Sequence, residues 1–335
     1  MRTREGRRGL LFICILAVVL LALLLLSFGL GRYAVPPAEV IRILLARIFP
    51  VTPSWTEHME TAVINIRLPR ILLACMVGGC LSAAGTAYQS VFRNPMAAPD
   101  ILGACFGAAL AILLGFSRSG VTALAFVSSL LSVALVYAIA RRAKGNPVTM
   151  LLLAGVMIGS LFSACTSYVK LVADPTNQLP AITYWLMGSL SGTRMNAVGF
   201  AAVPMLIGLV PLLALRWRIN LLTLDEEEAR SMGVNTGRLR LVVILCATVL
   251  TAACVAVSGM IGWVGLVIPH LSRKLVGSNC RYLLPASTIF GAIFLLLVDN
   301  ISRNLLATEI PIGILTAFVG APFFLYLMTR KEQLL

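Results

Sequence analysis

Few residues of this chain could do covalent chemistry. There are two histidines, His58 and His270, far apart and in no H-x-x-x-H pattern, so neither a zinc pair nor a Ser–His nucleophile is spelled out. The eight cysteines are Cys14, Cys75, Cys80, Cys105, Cys165, Cys246, Cys254 and Cys280. None forms a C-x-x-C pair and all but Cys280 lie in apolar runs, so they read as buried thiols behaving like small hydrophobes, with no disulfide framework and no metal site. No G-x-x-x-x-G-K-[ST] loop offers to cradle a phosphate. The charged residues that remain are clustered. Leu221–Gly237, LLTLDEEEARSMGVNTG, sets three consecutive glutamates between apolar spans. Asp225 can N-cap a helix whose first turn holds Glu226, Glu227 and Glu228, which complement the helix dipole; Ala229 and Arg230 continue it and Gly233 can end it. Such a segment must project into water. It reads as a solvated loop or as a handle for a separate soluble engine, and a capped helix of this length is more than a linker needs.

The elements that must position this handle are membrane helices. Of 335 residues, 59% are hydrophobic and 12% charged, with mean hydropathy +0.95, whereas a soluble domain carries about 25% charged residues. A bilayer core about 30 Å thick needs about 20 apolar residues per helical span. The fold class expected is an all-α polytopic membrane protein of about ten spans: 10–31, 62–88, 97–116, 119–140, 148–172, 195–215, 239–260, a short Gly-broken 262–272, 282–300 and 309–328. Asn177–Gly192 has room for an extra interfacial helix. The N-terminal MRTREGRR and the long apolar run after it imitate a signal peptide, but the run exceeds an h-region and no A-x-A site follows, so it is read as an uncleaved first span. With both termini inside, 18 of the 27 basic residues fall in cytoplasmic segments and 9 outside, the expected positive-inside bias. That bias also accounts for the net charge of +14 without nucleic acid, since no basic stripe carries interleaved aromatics.

Small residues recur at helix-packing spacing: Gly103 and Gly107, Gly155 and Gly159, Gly188 and Gly192, and a face of Ala74, Gly78, Ser82 and Gly85. Such faces let membrane helices approach closely. Four further segments stand out. Arg67-Leu68-Pro69-Arg70, at an outer span end, either snorkels to the interface or offers a cationic surface to an acidic partner. Gln89–Gly103, QSVFRNPMAAPDILG, is either a tight turn or a constriction at the inner mouth of a pathway, because irregular backbone at membrane depth must be buried or line a cavity. Gly259–Arg273, GMIGWVGLVIPHLSR, breaks a helix near His270, an interfacial residue or a proton carrier. Asp299–Arg303 and Glu309–Gly313 place acidic and basic groups at another outer junction.

In this order, RLPR, G-x-x-Q-x-x-x-R-NPMA-x-P-x-ILG, LLLAG, YWLMGSL, DEEEARSMG, SGMIGWVGLVIPH and EIPIGILTAFVGAP resemble the FecCD-type permease subunits of binding-protein-dependent ABC importers, over roughly residues 60–330. The resemblance implies one transmembrane permease domain, 1–335, in the bacterial inner membrane, pairing with a second copy as a homodimer. It implies two cytoplasmic ATPases, carrying ATP and Mg, docked on a coupling loop at about 219–237. An extracytoplasmic binding protein would meet Arg67, Arg70 and Arg303. An inner gate would form at Asn94, Pro95 and Met96 with Val148 and Thr149; Met96 departs from the commoner NPLA, and Pro147 precedes the second gate position. The implied cargo is an iron chelate, ferric siderophore first, with haem and cobalamin following. An ion-coupled secondary transporter is the rival, but Asp100, Asp174, Asp299 and Glu309 all sit near span ends, not at the midplane. A membrane enzyme is the weaker rival, lacking a catalytic constellation.

Overall fold

In the computed structural model, the described residues are 2–31, 33–47, 49–50, 52–97, 102–224, 228 and 231–329. They form thirteen α-helices: α1 (Arg2–Gly29), α2 (Pro37–Leu45), α3 (Glu57–Glu60), α4 (Leu68–Phe92), α5 (Leu102–Leu113), α6 (Arg118–Arg142), α7 (Pro147–Val172), α8 (Gln178–Leu186), α9 (Met195–Ile219), α10 (Thr236–Ser258), α11 (Val264–Val276), α12 (Cys280–Asn304) and α13 (Ile312–Thr329). A π-helical stretch, Thr61–Arg67, joins α3 to α4, and a short 3₁₀ turn, Asn220–Thr223, follows α9. Seven helical stretches among the described residues are long and apolar enough to cross a membrane. The third expected span, 97–116, is helical over only 12 described residues, about 18 Å of helix. The expected eighth span is the 13-residue α11, entered through non-helical Gly259–Trp263, and the stretch 177–192 does carry a helix, α8.

Helix α4 is the axis of the bundle. Most of its side chains are buried, and it packs against α12, α10, α11 and α9. Its small face does what the spacing predicts. A Cβ on Gly78 would collide with the carbonyl of Gly291 on α12, and one on Gly85 with the carbonyl of Gly265 on α11. Polar side chains stitch the same contacts: Thr86 Oγ1 lies 2.8 Å from Ser287 Oγ, and Tyr88 Oη lies 2.9 Å from Thr248 Oγ1. Gln89, 2% exposed, donates from Nε2 to the carbonyls of Gly265 and Leu266 at 3.3 and 3.4 Å. It thereby satisfies backbone at the start of the broken helix. Gly103 and Gly107 likewise let α5 press on α6.

Two of the expected packing pairs serve other ends. Gly188 and Gly192 have φ of +72° and +64°; they are turn glycines, in a region that costs other residues their Cβ clearance. Gly188 also sits against the Met260 carbonyl, and Ile312 N donates to Gly188 O at 2.8 Å. Three irregular segments thus satisfy one another there, as buried backbone must. Gly155 has nothing near its missing Cβ and faces a cavity.

Helix α1 packs on α12 along one side but carries an apolar window of hydropathy 3.3 that is only 6% buried within the chain. Its exposed Leu10, Leu11, Val18, Leu21, Leu25 and Leu26 suit contact with lipid tails. Gly85→Val is expected to abolish the monodisperse detergent-solubilised species, since overpacking costs about 1–3 kcal/mol even against yielding side chains and here the obstacle is backbone. Gly155→Val, facing open space, is expected to leave that species intact by size-exclusion chromatography.

Candidate functional site

Helix ends gather into two opposed clusters. One holds the end of α1, the start of α4 and the end of α12, the outer end in the expected orientation. There Arg70 Nε donates to Asp299 Oδ1 at 2.9 Å, and its Nη1 to Glu309 Oε1 and Oε2 at 2.8 and 3.0 Å. Arg303 Nη2 donates to Ser27 O at 3.0 Å and also to Asn300 Oδ1, while its Nε lies 3.8 Å from Asp299 Oδ2. Arg67 donates to the carbonyls of Phe28 and Tyr33. Asn300 Nδ2 adds a bond to Ser27 Oγ at 2.7 Å. Arg67 and Arg303 therefore cap carbonyls at the C-terminus of α1, where the helix dipole favours cations.

The resemblance implies that a binding protein meets Arg67, Arg70 and Arg303, and a cationic surface is one of the two readings of Arg67 and Arg70. The fold does bring the three together, but it turns them inward: they are 4%, 6% and 7% exposed. The physical reason is that Asp299, fully buried between helices, needs cationic partners, and a buried charge is held only when paired. Local pairing of the Asp299–Arg303 and Glu309 segments is present, with Arg70 as the third member.

The other end holds the end of α4, the start of α7 and the root of the acidic segment. Helix α4 stops at Arg93, whose φ of +50° is the left-handed C-cap conformation. Asn94 N returns to Gln89 O at 3.2 Å, and Asn94 Oδ1 accepts from Met96 N at 2.8 Å, an Asx turn that fixes the Asn-Pro corner. Asn94 and Met96 line a cavity of about 830 Å³ with Tyr88, Tyr137 and the small face of α7, Gly155, Gly159, Ser160, Ser163 and Ser167. Pro95 is half-buried beside them. Asn146 N-caps α7 by accepting from Val148 N at 2.9 Å and Thr149 N at 3.5 Å, with Pro147 at the first helical turn, where a proline is well tolerated. Val148 is half-buried and Thr149 exposed. They stand one turn before Leu151 and Leu152, which do line the cavity. Among the described residues, none with a charged side chain lines the cavity.

Arg93 is the residue that sequence reading missed, counting it only as an inside charge. Its Nε donates to Leu222 O at 3.0 Å and its Nη2 to Leu224 O, the last residues before the acidic segment. Asn220 clamps the same root to α12, donating from Nδ2 to Asn279 Oδ1 at 3.0 Å and accepting from Cys280 N at 2.7 Å. Asp225, Glu226, Glu227, Ala229 and Arg230 lie outside the described residues. Glu228 is helical and exposed, and Gly233 has φ +76°, fit to end a helix. His270 is half-buried next to Arg273 and Lys274.

Residues 19–330 match the FecCD transport family. The chain belongs to that family. It is 41% identical over 323 residues to the molybdate import system permease protein MolB of Haemophilus influenzae, covering 95% of each chain. It is 40% identical over 341 residues to the Fe(3+)-citrate import system permease protein YfmE of Bacillus subtilis, covering 99% of this chain and 98% of that one. Among solved structures, an inward-facing ABC transporter described as of the metal-chelate type superposes with a TM-score of 0.84 at 40% identity, covering 94% of this chain and 98% of that chain. As a FecCD protein the chain is a membrane permease component of an ABC importer, a multi-span protein of the bacterial inner membrane in a family that works with ATPase and binding-protein partners.

Asp299→Ala strips Arg70 and Arg303 of their buried carboxylate. Breaking a buried pair from one side costs about 3–5 kcal/mol, so a marked loss of thermal stability in detergent is expected, read by the melting temperature. Asp174→Ala, in the exposed turn before α8, is expected to leave that temperature nearly unchanged.

Proposed function

We propose that this FecCD permease carries an iron chelate, ferric siderophore first, into the cytoplasm as a homodimer, with both termini cytoplasmic and two ATPases docked on residues 219–237. The observation that carries the coupling role is Arg93. One guanidinium joins the expected gate turn, Asn94–Met96, to the carbonyls at the root of the acidic segment. A push delivered to that segment by an ATPase would reach the cavity mouth through the Arg93 hydrogen bonds and the start of α12 through the Asn220–Asn279 clamp. ATP and Mg stay on the partner subunits. Closure of the engine would favour one packing of the helices over another, and that differential stability drives alternating access.

The cavity wall of small, hydroxyl-bearing and apolar side chains suits a large, partly polar cargo whose charges are internally matched. At the outer end the binding protein docks on surfaces that the buried arginine network organises without facing the partner. Haem and cobalamin are alternatives within the same machinery. Molybdate is a second reading, favoured by the 41% identity to a molybdate permease.

ATP-dependent uptake into proteoliposomes containing the permease, its ATPase and its binding protein tests the cargo. Labelled ferric siderophore is expected to accumulate and molybdate is not; the reverse result would install the second reading. Converting Glu226, Glu227 and Glu228 to lysine is expected to abolish co-purification of the ATPase while leaving the permease monodisperse, and normal co-purification would refute docking there. Arg93→Ala is expected to retain co-purification and ATP hydrolysis while uptake falls at least about tenfold, the loss produced by roughly 1.4 kcal/mol.

A further inference from the structure

Helices α6 and α10 do not close on each other along their whole length. Leu130, Val133, Ala134, Tyr137, Ala138, Arg141 and Arg142 fall at helical spacing on one face of α6, and Leu241, Ile244, Leu245, Thr248 and Val249 on one face of α10. Between them runs an open groove of about 940 Å³. Ala134 and Ala138 give it depth, and its wall is apolar until the last turn of α6, where Arg141 and Arg142 close it.

Three observations define what fits. From Leu130 to Arg142 the groove follows about 18 Å of helix, close to one leaflet of a hydrocarbon core about 30 Å thick. Arg141 and Arg142 are exposed and have no ion-pair partner among the described residues, so their charge is free for an external anion. The groove also shares Val133, Tyr137 and Ile244 with the cavity behind Asn94 and Met96. An occupant would therefore press on the other side of that cavity's wall.

We infer that the α6–α10 groove is a binding site for one anionic phospholipid, its acyl chain lying against Ala134, Ala138 and Leu245 and its headgroup phosphate paired with Arg141 and Arg142. Apolar area holds the chain, and the two arginines attract an anionic headgroup more than a zwitterionic one. A zwitterionic lipid would gain the first term and little of the second. The site rests on the reading of the chain as a bilayer-spanning permease, but it needs no assumption about cargo, ATPase or gate. A lipid here would stiffen the shared Tyr137 wall, so transport would depend on the anionic lipid content of the membrane.

The test is native mass spectrometry of the delipidated permease, titrated with phosphatidylglycerol or with phosphatidylcholine of the same acyl chains. One phosphatidylglycerol is expected to remain bound per chain where phosphatidylcholine is shed. Arg141→Gln with Arg142→Gln is expected to weaken that adduct by about tenfold or more. Ala138→Trp, which fills the groove but keeps both arginines, is expected to lose it as well. Equal retention of both lipids by the unmodified protein would overturn the proposal, as would an undiminished phosphatidylglycerol adduct in the double variant. Loss of the homodimer in Ala138→Trp, with its lipid adducts unchanged, would overturn it in favour of a second copy seated on this face. Each readout is independent of uptake, so a wrong cargo assignment leaves the result interpretable.

Discussion

Everything in this permease hangs on how closely α4 can approach its neighbours. In lipid, water gives helices no hydrophobic reason to associate, so contact must come from fit and from internal hydrogen bonds. At Gly78 and Gly85 the missing Cβ brings backbone onto backbone across α12 and α11. The approach then lets short polar side chains reach across: Thr86 to Ser287, Tyr88 to Thr248, and Gln89 to the carbonyls that start α11. Were α4 to stand farther off, these groups would be stranded in a medium where each unpaired one is costly.

That rigid centre sets two ends with different physics. At the end that the expected orientation places outside, charge is drawn inward. Asp299 is wholly buried and held by Arg70 and Arg303, while Arg67 and Arg303 also seat the C-terminus of α1. This network joins the end of α1, the start of α4, the end of α12 and the segment before α13 into one unit. At the opposite end, charge is turned outward or tied to backbone. Arg93 bridges a turn and the root of the acidic segment through carbonyls alone, so it links two parts without fixing them to a carboxylate. A hydrogen-bonded link of this kind suits a part that must transmit movement, and a buried ion network suits one that must not slip.

The cavities follow from the same division. Where α4 packs tightly, space is absent. Where α7 presents Gly155, Gly159 and its serines instead of large side chains, a cavity of about 830 Å³ opens behind the Asn94–Met96 turn. The groove between α6 and α10 lies just beyond its wall. Groove and cavity therefore share the wall formed by Val133, Tyr137 and Ile244.

Much of this was legible from the sequence alone. Hydropathy marks the helices because an apolar run of bilayer length has few other fates, and the small face of α4 was readable because 3.6-residue periodicity places Ala74, Gly78, Ser82 and Gly85 together. The Asn-Pro turn, the helix break before α11, the helix in 177–192 and the family itself were readable for the same local reasons. What the tertiary structure decided were the partners. Gly188 with Gly192 has the same spacing as Gly103 with Gly107, yet the first pair makes turns and the second packs a helix, because φ depends on what the chain meets next. Arg67, Arg70 and Arg303 look like surface cations in one dimension. Only the fold brings Asp299 and the end of α1 against them, more than two hundred residues away from Arg70 and Arg303 respectively. Periodicity is a property of neighbours along the chain; burial and charge pairing belong to neighbours in space.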